Sequence, residues 1–214
     1  MNHCVPENPK IYHIVHVDKL GSIINEDCLW SDEAVQSKKL GGTMIGMSKI
    51  KERRMTNILQ SHPGLTVGQC APFYFCPRSV MLHCISLQTH KDILYQGGQE
   101  PIIHLQADLN KAIHWAEQNH RRWAFTTSNA GAFYFDDYCS QSDFNEIDWT
   151  AVNAFYWPQY REKKQAEFLL EERFPWSLVE KIGVYSQTQL DQVSAALEAT
   201  TYRPAVRIEQ NWYY

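Results

Sequence analysis

Residues 165–174 read QAEFLLEERF, with Glu167 standing directly ahead of the apolar trio Phe168, Leu169 and Leu170. The six residues before them, QYREKK, are polar and mostly basic. A carboxylate at the edge of a hydrophobic run admits two readings. It can lie on the solvated side of an amphipathic element, paired with Lys163 or Lys164 four and three residues earlier. It can also be an acid held at the rim of a core, where a fixed charge opposes positive charge developing on a sugar. Spacing alone leaves both readings open.

The surrounding sequence sets the context. The chain has 214 residues, 44% hydrophobic and 13% aromatic, and carries a net charge of −4. That length suits one domain, with enough apolar material for a sizeable core. Apolar runs such as VMLHCISL (80–87) are too short to span a bilayer. MNHCVPENPK at the start lacks a basic-then-apolar signal pattern. The expectation is a soluble, cytoplasmic protein. The charge argues against a wholly basic nucleic-acid binder. Local basic clusters remain, at Lys49, Lys51, Arg53 and Arg54, at His120, Arg121 and Arg122, and at Arg161, Lys163 and Lys164. Six cysteines stand at 4, 28, 70, 76, 84 and 139 with no C-x-x-C pair, which reads as reduced, mostly buried thiols.

Periodicity supplies the elements. KIYHIVHV (10–17) alternates and reads as a strand, and Asp18 then looks like the cap of a short helix, KLGSIINED. Trp30 closes a short strand or turn. Residues 31–47 carry three glycines and little period, so they read as a long loop, followed by a helix over SKIKERRMTNIL. APFYF (71–75) and PIIHLQAD (101–108) read as strands. RSVMLHCISL reads as a helix, and Asp108 caps the amphipathic LNKAIHWAEQNH. RRWAFTT is a strand, and the aromatic, polar stretch 128–149 has no firm period. After the element around Glu167 come a strand KIGVYS, a helix TQLDQVSAALEAT and a strand PAVRIEQ. Short strands interleaved with short helices give an α+β class.

The chemical motifs are sparse. His13 and His16 of HIVH are three apart in a strand, so they point to opposite faces and cannot share one ion. No other spacing suits a metal site. Glycine fingerprints for dinucleotides or phosphates are missing, as is a nucleophile elbow. Cys76, near Arg78 and His83, reads as a small buried residue more readily than as a nucleophile. Arg53 and Arg54 read as a basic helix surface or as a guanidinium fork for a phosphate or pyrophosphate.

Several segments together resemble the DarT family of DNA ADP-ribosyltransferase toxins. They are YHIVHVDKLGSIINEDCLW, IKERR, APFYFCPRSVMLHCI, WAFTTSNA, EIDW, QAEFLLE and KIGVYS, in the family's order, from about residue 11 to 214. The resemblance implies a single domain over 1–214 with an ADP-ribosyltransferase fold, in which two small sheets and surrounding helices form a cleft for NAD⁺. NAD⁺ is then the substrate, and no metal is implied. ADP-ribose passes to a base of single-stranded DNA, with thymidine as the expected base. Guanine in DNA, RNA and protein are the alternatives. By the same resemblance the protein is a monomeric toxin that blocks replication, opposed by a DarG-like macrodomain antitoxin or another ADP-ribosyl hydrolase.

The resemblance also assigns residues. Glu167 matches the catalytic glutamate and Arg54 the second catalytic position, with Arg54 also touching NAD⁺. His13, Ile14 and Val15 contact the nicotinamide half, and Ser22 and Trp30 line the same pocket. Residues 31–54 cover the bound NAD⁺, and a segment of about 122–150 recognises the substrate. Arg78, Met81 and Asn129 are assigned to the cleft or the DNA. The chain departs from the family at Thr127, Ser128 and Asn129, which bears on the choice of base.

Overall fold

The strands of the chain are short, and the residues that make them are the β-branched and aromatic ones that suit a half-buried pleated surface. A computed structural model describes residues 5–88 and 90–214, so Cys4 lies outside the described residues. In chain order the elements are β1 (Lys10–His16), α1 (Leu20–Asn25), β2 (Cys28–Trp30), α2 (Asp32–Ser37), α3 (Ser48–Arg54), β3 (Cys70–Tyr74) and α4 (Val80–Leu87). They continue with β4 (Ile102–Asp108), α5 (Leu109–Gln118), β5 (Trp123–Thr126), β6 (Asp137–Tyr138), α6 (Trp149–Asn153) and β7 (Glu167–Glu171). The last are β8 (Arg173–Pro175), β9 (Val179–Val184), α7 (Gln187–Leu197) and β10 (Ala205–Ile208).

Eight strands form one sheet in the order β10-β9-β4-β1-β3-β7-β5-β6, and β2 pairs with β8 in a second, two-stranded sheet. The expected pair of small sheets is therefore unequal, and the reason lies in the large one. β1 runs in register with β4 over seven residue pairs. Its pairing with β3 on the other side is the single pair Tyr12↔Tyr74. The large sheet thus consists of two four-stranded halves joined at one point, and the gap between β1 and β3 opens into a cleft. The main core packs against both halves, with Ile11, Phe73, Phe125, Phe168 and Phe174 fully buried. A second cluster under α4 gathers Ile14, Leu82, Ile85, Ile102, Trp212 and Tyr213.

Two local expectations are corrected. Asp18 caps no helix. The His16 side chain accepts from the Asp18 N–H at the start of a 3-10 turn, and the Asp18 carboxylate instead receives the Thr43 N–H at 3.0 Å and the Thr43 hydroxyl at 2.6 Å. The segment read as a loop over 31–47 contains α2. Ser31 accepts the Ala34 N–H as its N-cap, and Asp32 and Glu33 fill the first turn, where they complement the helix dipole. Asp108 caps α5 as read, accepting the Lys111 N–H at 3.0 Å. Cys28, Cys70 and Cys76 are buried free thiols, Cys84 is half-buried, and Cys139 is exposed. No helix among the described residues is long and apolar enough to cross a membrane.

Candidate active site

Glu167 opens β7, and its partner in register on β3 is Tyr74. Strands β3, β7 and β5 all present the same end here, because Phe125 of β5 lies opposite Phe168. The alternation of the strand sends Phe168 and Leu170 into the main core. Glu167 is itself only 3% exposed. A carboxylate this buried requires partners. Arg54, at the last residue of α3, donates Nη1 to both oxygens at 2.8 and 3.2 Å. The Ala130 backbone N–H donates to Oε1 at 3.1 Å. The Glu167 N–H is itself held by the Thr126 hydroxyl at 3.2 Å. A lysine pair is not formed: Lys163 binds Asp148 at 2.9 Å, and buried Lys164 donates to the Val152 and Ala154 carbonyls.

Because one nitrogen of Arg54 serves both carboxylate oxygens, its Nη2 is left buried without a partner among the described residues. Burial pulls the Arg54 pKa down, yet the charges of Glu167 and Asp32 outweigh it and hold the guanidinium above its ordinary value. Burial, reinforced by the Glu167 charge, pushes the Tyr74 phenol up. Asp32, the first residue of α2, pairs with Lys51 of α3 at 2.6 Å. Burial would raise the Asp32 pKa, but Lys51 prevails and keeps it below the usual carboxylate range.

These residues sit in a cavity of about 410 Å³, within the range of small-ligand sites. Its wall includes His13, Ile14 and Val15 of β1, then Ser22 of α1 and Trp30 of β2. Arg54, Met81, Asn129 and Glu167 also line it. Arg78 does not; it lies outside, with its guanidinium carbon 3.9 Å from the Phe155 ring centre and 4.3 Å from that of Tyr214. His13 donates Nδ1–H to the Pro72 carbonyl at 2.7 Å across the β1–β3 gap. Burial lowers its pKa to about 4. The ring is therefore neutral at pH 7, with Nε2 as an acceptor. Leu40 and the segment Thr43–Met47 form one side of the cavity as a flap pinned by Asp18.

Sequence reasoning missed the residues that hold the 129–132 turn in place. Asn57 donates to the Ala130 and Ala132 carbonyls at 2.9 Å each, and Asn129 donates to Gln165 at 3.0 Å. The turn approaches α3 so closely that a Cβ on Gly131 would stand 2.5 Å from Ile50. Gln165 lies two residues before Glu167, and that adjacency was its one signal. Asn57 gave none. Cys76 is buried and burial raises its thiol pKa, the opposite of what a nucleophile needs. Among the described residues no three His, Cys, Asp or Glu side chains cluster as a metal site.

Known proteins share both sequence and architecture. The family described as "ssDNA thymidine ADP-ribosyltransferase, DarT" matches residues 12–214. A DNA ADP-ribosyl transferase of Thermus sp. (strain 2.9) is 37% identical, over 100% of both chains. The solved structure of Thermus sp. 2.9 DarT in complex with ADP-ribosylated ssDNA superposes with a TM-score of 0.90 at 36% identity, covering 100% of both chains. The same protein in complex with NAD⁺ gives a TM-score of 0.83 at 33% identity, covering 99% of this chain and 100% of the other. With a cleft, a buried Arg–Glu pair and a match across nearly its whole length, the chain belongs to the DarT family of DNA ADP-ribosyltransferases.

Proposed function

We propose that this protein binds NAD⁺ in the β1–β3 cleft and transfers ADP-ribose to a thymidine base of single-stranded DNA. The observation that carries the reading is the buried Arg54–Glu167 pair at the cavity wall, with Arg54 Nη2 unpartnered. During transfer the bond between the ribose C1′ and the nicotinamide nitrogen breaks, and its electron pair leaves with nicotinamide. Positive charge then develops on the ribose. Glu167, fixed by Arg54 and Ala130 before reaction, stabilises that charge without reorganisation. A base nitrogen closes the new bond to C1′ and loses its proton.

Arg54 does not take that proton. Glu167 and Asp32 keep it protonated, so it orients the base and carries charge while the proton leaves by another route. His13 Nε2 suits an acceptor role toward the nicotinamide amide, beside Ile14 and Val15. Ser22 and Trp30 complete the nicotinamide wall, and α2, the flap and α3 cover the dinucleotide. The family's description supports thymidine as the base. Asn129 donates to Gln165 and accepts the Gly131 N–H at 2.7 Å, which fixes the orientation of its amide at the cavity wall. In a cell such a modification blocks replication, so the protein acts as a toxin whose antitoxin is a macrodomain hydrolase.

The test is mass spectrometry of short single-stranded oligonucleotides incubated with protein and NAD⁺, varying one base at a time, with RNA and duplex controls. A gain of one ADP-ribose on thymidine-containing DNA, lost in Glu167→Ala, is expected. Gain on guanine alone would move the specificity. NAD⁺ consumption with no gain on any DNA would move the target to RNA or protein.

A further inference from the structure

Most of the basic residues in the three clusters noted in the sequence are already neutralised. Lys49 pairs with Asp92, Lys51 with Asp32, Arg121 with Glu172 and Arg122 with Glu171. Arg54 and Lys163 are paired and Lys164 is buried, as described above. Arg53, Arg78 and Arg161 have no carboxylate within ion-pair distance among the described residues. Two of these three lie on exposed aromatic rings. Arg53 is 4.3 Å from the ring centre of Phe133, which is 80% exposed. Arg78 lies over Phe155, which is 77% exposed. Tyr134 and Tyr156 stand beside them and are exposed as well.

Topology sets the two aromatic stations apart. Phe133 lies in the connection from β5 to β6, one residue after Ala132 of the cavity wall. Arg78 lies in the connection from β3 to α4, and Met81 of α4 lines the cavity. Both connections leave the sheet at the end where Glu167 begins β7, and β7 lies between β3 and β5. The stations therefore flank the reacting centre. Arg161, in the segment that leads into β7, lines the cavity as well.

Large apolar rings left in solvent beside unpaired guanidiniums suit a single-stranded nucleic acid. Nucleic-acid bases stack on aromatic faces, and phosphates take unpaired arginines. We propose that Phe133 with Arg53 and Phe155 with Arg78 are two base-stacking stations, which hold the nucleotides on opposite sides of the target base and so read its sequence context. This rests on the reading of single-stranded DNA as the substrate.

The test uses the full chain and oligonucleotides in which one nucleotide before or after the target is replaced by an abasic spacer. Base stacking of this kind predicts that each spacer lowers kcat/KM of the unaltered protein about 5- to 150-fold. Phe133→Ala should lower kcat/KM on intact DNA by a similar factor and abolish the penalty of the spacer on one side only. Phe155→Ala should do the same for the other side. Both rings are largely solvated, so melting temperatures should match the unaltered chain. Phe133→Leu and Phe155→Leu serve as controls, since they keep bulk without a stacking face and should behave as the alanine variants do. Variants with full kcat/KM and unchanged spacer penalties would overturn the stations while leaving the function standing. Loss of the same side's penalty in both variants would overturn the flanking arrangement. An unaltered chain that modifies no DNA would remove the function and the stations together.

Discussion

The Glu167 carboxylate can lose its charge with little change of shape, and Glu167→Gln does this. The amide oxygen can still accept the Ala130 N–H, which stands 3.1 Å from Oε1. The second oxygen, 2.8 Å from Arg54 Nη1, becomes an NH₂ that faces a donor. At an effective dielectric near 20 two charges 2.8 Å apart attract by about 6 kcal/mol, much of which offsets the desolvation of both groups. Removing one partner of a buried pair typically costs about 3–5 kcal/mol of stability, and Gln, which keeps one bond, belongs at the lower end. A domain of ordinary stability, about 5–15 kcal/mol, stays mostly folded at 25 °C after such a loss. Catalysis should fall further than folding. Removing one preorganised group that stabilises developing charge lowers kcat by about 10²–10³, or 2.7–4 kcal/mol. The assay is transfer to single-stranded DNA read by mass spectrometry, beside a melting curve with and without NAD⁺. Glu167→Gln should retain a cooperative transition and an NAD⁺-induced rise in melting temperature. Its transfer rate should drop at least a hundredfold. A rate within threefold of the unaltered enzyme would refute the role of the charge, however the pair is drawn.

Three further outcomes follow from other parts of the fold. His104 is buried, bonds the Pro77 carbonyl through Nε2 at 3.0 Å, and is lowered by burial to about 4; His13 shares that direction. The unfolded imidazole titrates near 6.5, so the stability from each neutral ring is complete above that pH and is lost as pH falls toward 4, by about 1.4 kcal/mol per pH unit. Thermal melting between pH 7 and pH 4.5 should show this slope, and His104→Gln should flatten it; an identical slope in the variant would exclude His104 as its source. Asp18→Asn weakens the charged anchor of the flap at Thr43. The KM for NAD⁺ should rise about three- to tenfold with kcat preserved, and a fall in kcat alone would contradict the anchor. In Gly183→Ala the new Cβ would meet Cε3 and Cζ3 of the Trp212 ring, which packs on β9. Urea unfolding should report a loss of about 1–3 kcal/mol, and an unchanged midpoint would mean that Trp212 moves aside freely.

What the sequence made legible divides along the range of the forces involved. The strands around KIYHIVHV and PIIHLQAD and the Asp108 cap of α5 depend on neighbours a few residues away. Local pattern was enough for these. The helix α2 was local too, and the Ser31 cap with acidic residues behind it was present in the sequence, but the glycines that follow obscured it. Asp18 shows the opposite problem. Its sequence suits a cap, yet its carboxylate is taken by Thr43, 25 residues away, through three hydrogen bonds. The site is the extreme case. Arg54 and Glu167 are 113 residues apart, and the pair exists only because β7 lies between β3 and β5 while α3 ends over the strand ends. No spacing rule reaches that far. A resemblance carried by several ordered motifs does, because it records the whole arrangement at once. Of the residues to which it gave no role, Gln165 holds Asn129 by hydrogen bond, Asp32 acts on Arg54 by charge, and Asn57 holds the turn around them through Ala130 and Ala132; contacts of that kind show only in three dimensions.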